Sequence, residues 1–396
     1  HFTINQKEVL PCADQMMAQI NSNNQDHRIL FLDQIKAIMI ALVIATHTAL
    51  LGRLASTGVN EIIQSAPIFV SLNLWFTWVC NTFYMNILFL ISGYLLPSSI
   101  KRRGLGNFFF KRLIRLGIPL TAAVFLINNL LPLAGLLVPD SPAFGQSLDT
   151  LPLYRIGPQW FLLVLISFNA IYCLWAWLRK SNFSTDRKQS VPGWRSWLIS
   201  AAILGVIEAI MGSNTEFWTR LKDTNLDGLG YQGMHLWTYA FLFALGCKAA
   251  SHHWLERINK HLAFRWFQGS LLASFAVLAL MLTSADGGSH EGLLNQAWPV
   301  LSFLIPLVGW GYIAIFLHWK QHHESIGGTW LAKAGGDSFG AYLIHMPILY
   351  IAIMSIYLLG LKDIWLLSLS ATFLAIILSF WGSHLLRSVS LIRRII

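Results

Sequence analysis

The chain has 396 residues, of which 55% are hydrophobic and only 12% are charged, and its mean hydropathy is +0.55. Because soluble domains carry about 25% charged residues, this composition excludes an ordinary soluble protein and indicates an integral membrane protein. The formal net charge is +10, yet the basic residues are scattered between apolar runs without a base-stacking platform, so we expect no nucleic-acid partner.

Residues 1–27 are polar and contain no apolar core of signal-peptide length. We therefore expect a polar cytoplasmic N-terminal segment over 1–27 and a single transmembrane domain over 28–396. The cysteines lie far apart in the sequence, with neither the spacing of a disulfide framework nor that of a metal site. They are Cys12, Cys80, Cys173 and Cys247.

Ten apolar runs are long enough to cross a hydrocarbon core of about 30 Å, which needs about 20 residues. The predicted spans are 34–52, 72–97, 113–138, 158–178, 196–213, 231–250, 264–284, 293–317, 338–359 and 363–386. Pro67, Pro97, Pro158, Pro299 and Gly360 are expected at their ends or outer turns, because both residue types interrupt helices. The sequence thus predicts an all-α polytopic membrane protein of about ten helices.

The loops between these runs differ in their content of basic residues. With the N-terminus placed in the cytoplasm, most of the 28 Lys and Arg residues fall in inner segments, above all in 101–115 and 179–195. Such a bias in short loops orients membrane proteins, whereas acidic residues contribute little. We therefore predict that both termini are cytoplasmic.

The first run carries two ionisable side chains, Lys36 and His47, eleven positions apart. On a helix they share one face and lie about 16 Å from each other. An ionisable residue near mid-span costs about 2.5–3.5 kcal/mol on insertion scales, so such residues usually face a polar interior and mark a working site. Two alternatives stay open: Lys36 snorkels to the inner interface, and His47 makes only a contact between helices.

Polar residues of the later runs support fewer conclusions. Glu208 is a carboxylate inside the fifth run, and the sequence does not identify its partner. Three histidines of a lysine-containing inner loop do not indicate a metal site, so no metal is expected. They are His318, His322 and His323. Three Gly pairs lack the strand–turn–helix context of a phosphate loop and are predicted to be turns. They are residues 287–288, 327–328 and 335–336.

Four segments carry motifs in a fixed order along the chain. The first segment reads Leu-Asp, then Lys36, ten residues and His47. The second segment, which runs from the second apolar run into the third, contains Ser-Gly-Tyr and then Arg112-x-x-Arg115. GPQWFLLVL stands at 157–165, and SFGAYLIHMPIL at 338–349. Together these segments resemble the acyltransferase 3 family, bacterial multi-span enzymes that acylate surface or periplasmic glycans. The likeness covers nearly all of 28–386, although Lys36 stands where the family more often has arginine.

This resemblance implies an enzyme of the bacterial inner membrane that transfers acyl groups other than amino-acyl groups. It implies acyl-coenzyme A as cosubstrate, no tightly bound cofactor, and a hydroxyl of an extracytoplasmic carbohydrate or lipid-linked glycan as acceptor. The modification would be of the kind represented by polysaccharide O-acetylation. Membrane lipids are further expected partners, and the oligomeric state stays open.

Within this interpretation His47 is the general base, because a neutral imidazole accepts a proton near neutral pH. Lys36 is placed between the donor's phosphates and its thioester, and Asp33 holds this lysine or sets its charge state. A purely structural Asp33–Lys36 pair near the interface is the alternative for the aspartate.

The basic loop after the second run is assigned to the donor. Arg112 and Arg115, three apart on one helix face, are predicted to clamp phosphate, and Arg102 and Arg103 to attract it. The alternative is that this loop only fixes orientation and binds anionic lipid heads.

On the outer side, Arg155, Trp160 and His235 are predicted to form an acceptor mouth, because sugars bind to polar edges and aromatic faces. Trp160 is equally suited to anchoring at the interface, and His235 to hydrogen bonding at a helix end.

Three further residues are assigned to an acyl pocket or to structure: Ser92, Tyr94 and His345. For His345 a structural role is favoured, because Pro347 frees a carbonyl in the preceding turn.

Two other functions remain open from the sequence. A proton-coupled secondary transporter would use Lys36 and His47 to couple protons to a solute, although the two halves of the chain show no internal correspondence. A catalytically silent relative would serve as a scaffold in an envelope complex.

Overall fold

The structure is a computed structural model that describes residues 30–48, 66–128, 154–179, 189–213, 215–224, 226–286, 290–361 and 363–393. These residues form helices and connecting turns, with no strand among them. Eight of the described helices are long and apolar enough to cross a membrane. The protein is therefore an all-α, polytopic membrane protein, as the sequence predicts. The predicted segment 1–27 lies outside the described residues.

The helices are numbered here in chain order. They are α1 (Leu30–Thr48), α2 (Pro67–Arg103), α3 (Leu105–Ala122), α4 (Trp160–Leu178), α5 (Trp194–Ser213), α6 (Thr215–Lys222), α7 (Asp227–Gln232), α8 (Leu236–His252), α9 (Lys260–Asp286), α10 (His290–His322), α11 (Gly328–Leu358), α12 (Ile364–Ser388) and α13 (Ser390–Arg393). A π-helix, Ala123–Ile127, continues α3, and 3₁₀ turns at Gly157–Gln159 and Gly233–His235 precede α4 and α8.

Each of the ten predicted runs overlaps one long helix, namely α1 to α5 or α8 to α12. The eight candidate spans leave out α3 and α8. Helix α8 has only 17 residues, whereas α3 has 18 residues but carries three basic side chains, Lys111, Arg112 and Arg115. Length at α8 and charge at α3 therefore account for the difference between ten and eight.

One proline is not where the sequence predicts it. Pro97 lies inside α2, which continues to Arg103, so the prediction that it marks the end of a span is wrong. Pro299, in contrast, lies in the first turn of the candidate span Ala297–His322, as predicted. Neighbouring helices and hydroxyl side chains satisfy the backbone groups that a proline leaves free in a membrane bundle, so a helix continues through it. Pro67 does begin α2, and Gly360, with φ of 89°, follows the end of α11.

The Gly335–Gly336 pair lies inside α11, so its prediction as a turn is also wrong. The pair serves helix packing instead, because a Cβ on Gly335 would overlap the backbone carbonyl of Asp33. Helix α1 therefore crosses α11 at the level of its own aspartate. Of the other pairs, Gly327 has φ of 81° and does form the turn before α11, whereas residues 287–288 lie outside the described part of the chain.

Helix α2 lies against α8, and the two run in the same direction. Cβ atoms on Gly93 and Gly246 would overlap the backbones of Phe243 and Leu90, respectively, so both glycines are needed for this close approach. The Tyr94 hydroxyl then donates to a carboxylate oxygen of Glu256, beyond the end of α8, at 2.6 Å. This contact places the C-termini of α2 and α8 at the same end of the bundle.

We call that end of the bundle the basic end. Gln321 of α10 donates to the Glu256 carbonyl at 2.6 Å, and Gln34 of α1 donates to the carbonyls of Glu324 and Gly328 at 2.9 and 2.8 Å. The C-terminus of α10 and the N-termini of α1 and α11 therefore lie there too. It is the end that the sequence predicts to be cytoplasmic.

The replacement Gly335→Leu is expected to lower the free energy of unfolding by about 1–3 kcal/mol, because the new side chain forces α1 away from α11. Thermal unfolding of the detergent-solubilised protein measures this change. The matched control is Gly269→Ala in α9, where no atom lies near the added Cβ. Alanine there is expected to leave stability equal or slightly higher. An unchanged melting temperature for Gly335→Leu would contradict the packing argument.

Candidate active site

His47 lies in the last turn of α1, half-buried, and its ring orientation is fixed by its own helix. Its Nδ1 lies 2.7 Å from the Val43 carbonyl oxygen. Because a carbonyl oxygen only accepts, Nδ1 carries the proton and Nε2 keeps a lone pair. The imidazole is thus held in the tautomer that can take a proton at Nε2.

A second imidazole, that of His345 on α11, faces the first. The ring centroids lie 4.9 Å apart with an interplanar angle of 72°. His345 is fully buried and its Nδ1 lies 2.5 Å from the Tyr342 carbonyl oxygen, which assigns the same tautomer to it. Its buried Nε2 has no hydrogen-bond partner among the described residues. Two imidazoles with proton-accepting Nε2 atoms therefore lie together in the bundle.

The surroundings of His345 come from the segment that precedes α4. The Tyr342 hydroxyl donates to the Pro158 carbonyl, and Gln159 Nε2 donates to the Leu343 carbonyl at 3.4 Å. Asn128 in turn donates to Gln159 Oε1 at 2.9 Å. These contacts connect the GPQW and YLIHMP motifs, which the sequence analysis noted only as separate signatures. Asn128, Gln159 and Tyr342 were not singled out there.

Lys36 and Asp33 form an ion pair on α1, with Nζ and Oδ1 2.5 Å apart and both side chains between one quarter and one third exposed. They lie at the level of Gly335, close to the basic end. The ten residues between Lys36 and His47 are continuous helix, so the predicted separation of about 16 Å on one face applies. One helix thus carries a paired ammonium at the basic end and an imidazole deep in the bundle.

Four arginines from three helices gather at the basic end: Arg103, Arg112, Arg115 and Arg387. Burial, and then the charges of Arg115 and Arg103, lower the pKa of Arg112 to about 10. Arg112 therefore stays cationic at neutral pH, and like charges held this close favour a bound anion. Arg102, which the sequence analysis also assigns to the donor, is exposed at the end of α2.

Arg387 was missed by the sequence analysis because it lies near the C-terminal end of α12, far from the other three in sequence. Its Nη1 lies 2.6 Å from Asp337 Oδ1 of α11, and the Ser383 hydroxyl donates to the Asp337 carbonyl at 2.6 Å. Asp337 thereby holds the guanidinium of Arg387, which is, with Arg103, an electrostatic neighbour of Arg115.

The residues predicted for the acceptor lie in neighbouring segments. Trp160 is 7% exposed and stacks on Tyr239 with centroids 5.4 Å apart, and His235 meets the edge of the same tyrosine at 6.1 Å. Arg155 is half-buried just before Trp160, and its carbonyl accepts from Asn128 at 2.7 Å. The structure therefore brings Trp160 and His235 together through Tyr239.

The partner of Glu208, which the sequence did not identify, is His235. Glu208 is 1% exposed, its Oε2 lies 2.6 Å from His235 Nδ1, and its Oε1 accepts from the Thr238 hydroxyl. A carboxylate behind Nδ1 fixes the tautomer and the orientation of this imidazole. One feature of the sequence pointed to the Glu208–His235 pair, namely that the Glu208 carboxylate lies within a predicted span.

The replacement Glu208→Ala is expected to lower the free energy of unfolding by about 1–3 kcal/mol, because it leaves the buried groups of His235 and Thr238 without their acceptor. Denaturant unfolding in mixed micelles measures the loss. Glu216→Ala is the matched control, since its ion pair with Arg220 is 76% exposed on both sides and is expected to contribute little. Equal losses of unfolding free energy in Glu208→Ala and Glu216→Ala would contradict the buried contacts of Glu208 with His235 and Thr238.

The remaining predicted residues take structural positions. Tyr94 is buried and bound to Glu256 where α2 meets α8, and Ser92 is half-buried in the same turn. His318 and His322 lie with ring centroids 4.2 Å apart, but the described part of the chain contains no group of three potential ligands placed to hold a metal. Cys80, Cys173 and Cys247 are unpaired and buried.

These features define a polytopic α-helical membrane protein with paired imidazoles in its interior and an arginine cluster at one end. The chain belongs to the acyltransferase 3 family, whose model, described as an acyltransferase domain, matches residues 29–386. It is therefore a multi-pass membrane acyltransferase, and the resemblance seen in the sequence is confirmed.

Two relatives carry the name glucans biosynthesis protein C. The protein of Escherichia coli O81 (strain ED1a) is 25% identical over 329 residues, which are 80% of this chain and 81% of the relative. That of Escherichia coli O139:H28 (strain E24377A / ETEC) is 25% identical over 331 residues, with the same coverage. No solved structure matches the chain.

Proposed function

We propose that the protein moves an acyl group from a cytoplasmic acyl-coenzyme A to a hydroxyl of an extracytoplasmic carbohydrate or lipid-linked glycan at the bacterial inner membrane. Membership of the acyltransferase family supports the reaction class. The name of the two relatives, glucans biosynthesis protein C, supports a glycan as acceptor.

The observation that carries this proposal is the His47 imidazole, which holds a lone pair on Nε2 beside His345 inside the bundle. The acceptor hydroxyl gives its proton to His47 Nε2 as its oxygen attacks the thioester carbonyl carbon. The tetrahedral intermediate collapses with cleavage of the carbon–sulfur bond, and the imidazolium returns the proton to the leaving thiolate. The products are an ester and free coenzyme A.

The ring of His345 packs edge-to-face against the ring of His47, with centroids 4.9 Å apart, and so helps to hold the orientation of the base. His345 thus acts as a positioning residue for the base.

In this proposal the donor's nucleotide end binds at the basic end of the bundle. Arg112 and Arg115 bind its phosphates, with Arg103 and Arg387 completing the cluster and Arg102 attracting the donor from solution. The thioester then extends along α1, past the Asp33–Lys36 pair, toward His47. The acceptor enters from the opposite side, where the half-buried Arg155 and the buried Trp160 and His235 form the wall of its path.

The test is acceptor-dependent release of free thiol from acyl-coenzyme A by the protein in nanodiscs, with glucan oligosaccharides as acceptors and a radiolabelled acyl group as tracer. Label on the oligosaccharide together with equal thiol release is the expected result. Solute movement in liposomes without thioester consumption would instead establish the transporter. If neither acyl transfer nor solute movement is observed with any short acyl-coenzyme A and glucan, the enzymatic proposal is refuted in favour of a scaffold.

A further inference from the structure

An apolar cavity of about 170 Å³ lies among α2, α5, α8 and α10 near the basic end. Its walls include Trp197, Phe241, Leu245, Trp310 and Leu317. It shares no residue with the paired histidines or with the arginine cluster. The cavity is therefore a separate feature of the bundle.

The indole groups at this cavity already have acceptors. Trp310 Nε1 donates to the Ser200 hydroxyl at 3.1 Å, and Trp254 Nε1 donates to the Gln189 carbonyl at 3.2 Å. What the walls offer a ligand is therefore mainly apolar surface. An apolar cavity of about 150 Å³ stays dry and binds benzene, so this one has room for about six carbons of an acyl chain.

Exposed cations border the cavity at the basic end. Lys248 Nζ lies 5.6 Å from the ring centroid of Trp254, which lines the cavity, and Arg257 Nη1 lies 3.4 Å from the same Gln189 carbonyl that accepts from Trp254. Both side chains are exposed, so each cation can turn from its contact with a ring face or a carbonyl toward an anion. The neighbouring Glu256 is engaged with the Tyr94 hydroxyl.

An apolar cavity beside two cations at a membrane boundary matches a molecule with an acyl chain and an anionic head. We propose that an anionic phospholipid of the leaflet at the basic end inserts one acyl chain between Trp197, Leu245 and Trp310 and places its phosphate between Lys248 and Arg257. Apolar burial holds the chain, and the paired cations select the charge of the head.

The experiment is native mass spectrometry of the protein released from mixed phosphatidylglycerol and phosphatidylcholine micelles. The wild type is expected to retain one phosphatidylglycerol with about tenfold preference over phosphatidylcholine. The double change Lys248→Glu, Arg257→Glu removes that preference, and Leu245→Trp, which fills the cavity, lowers retention of both lipids. Arg265→Glu, an exposed charge reversal near the start of α9, keeps the wild-type preference.

Because the charge reversal changes only exposed side chains, it tests the proposal even where the tryptophan variant fails to fold. Equal retention of the two lipids by the wild type would overturn the proposal. So would unchanged phosphatidylglycerol retention after the charge reversal. If acyl-coenzyme A displaced the lipid while the charge variant kept the wild-type lipid preference, the cavity would belong to the donor's acyl chain. That result would equally overturn the lipid proposal.

Discussion

An enzyme with glutamine in place of His47 is expected to fold normally and to transfer acyl groups about 10²- to 10⁴-fold more slowly, the range that a general base contributes. Glutamine keeps a polar side chain in the half-buried site but has no nitrogen that accepts a proton near neutral pH. The loss is expected in kcat, while KM for acyl-coenzyme A stays near the wild-type value, because the proposed phosphate site lies at the basic end, away from His47. Steady-state thiol release, with acyl transfer to glucan measured in parallel, gives both constants.

The matched control is His261→Gln, because His261 is an exposed histidine near the start of α9. It is expected to retain full activity. A His47→Gln enzyme with more than about a tenth of wild-type kcat would exclude His47 as the base. Because acyl transfer to glucan would still be measured in that case, the result would refute His47 as the base without refuting acyl transfer.

His345 offers a way to test whether the two imidazoles act as a unit. With His345→Gln we expect a smaller fall in kcat than with His47→Gln, because His345 acts through its neighbour. The double variant is expected to be little slower than His47→Gln alone, since residues in contact have non-additive effects. Multiplication of the two single effects would mean that the rings work independently, contrary to the contact seen between them.

The sequence predicts the first helix well because all its information is local. Regular helix geometry alone places Lys36 and His47 on one face, and a run of apolar residues alone predicts that this helix enters the membrane. The ion pair between Asp33 and Lys36 follows from their spacing of three. Each of these inferences needs only neighbours in the chain.

Contacts between distant helices are what the sequence could not supply. His345 meets His47 because α1 crosses α11 at Gly335, a packing feature that spacing within either run does not encode. Pro347, which favoured a structural role for His345, lies within an uninterrupted α11. The partnership of Glu208 and His235 is of the same kind, since it joins α5 to the turn before α8.

The arginine cluster shows both cases in one site. Arg112 and Arg115 stand three residues apart on α3, so their common face was predictable. Arg387 joins them only through the antiparallel packing of α12 on α11, which brings it to Asp337. Its position at the end of the last long run suggested no more than another inner positive charge.

Replacement of Arg387 by methionine is therefore expected to raise KM for acyl-coenzyme A by about 10- to 100-fold, the loss of one hydrogen bond to a charged phosphate of about 1.5–3 kcal/mol. Methionine keeps the length and apolar stem of the side chain, so packing against α11 is largely retained. The change in kcat is expected to be small, because the His47 site lies far along α1. Arg112→Met is expected to produce an effect of the same size.

Asp337→Asn separates positioning from binding at this cluster. It keeps the guanidinium of Arg387 but weakens the contact that orients it, so KM is expected to rise less than with Arg387→Met. Arg393→Met, which removes an exposed arginine of α13, is expected to leave KM unchanged. If the cluster acted only through its summed charge, Arg387→Met and Arg393→Met would raise KM equally and Asp337→Asn would lower it. These changes would disappear at high salt because exposed charges are screened. A rise confined to Arg387→Met and Asp337→Asn, and persisting in salt, is the result expected of a built phosphate site.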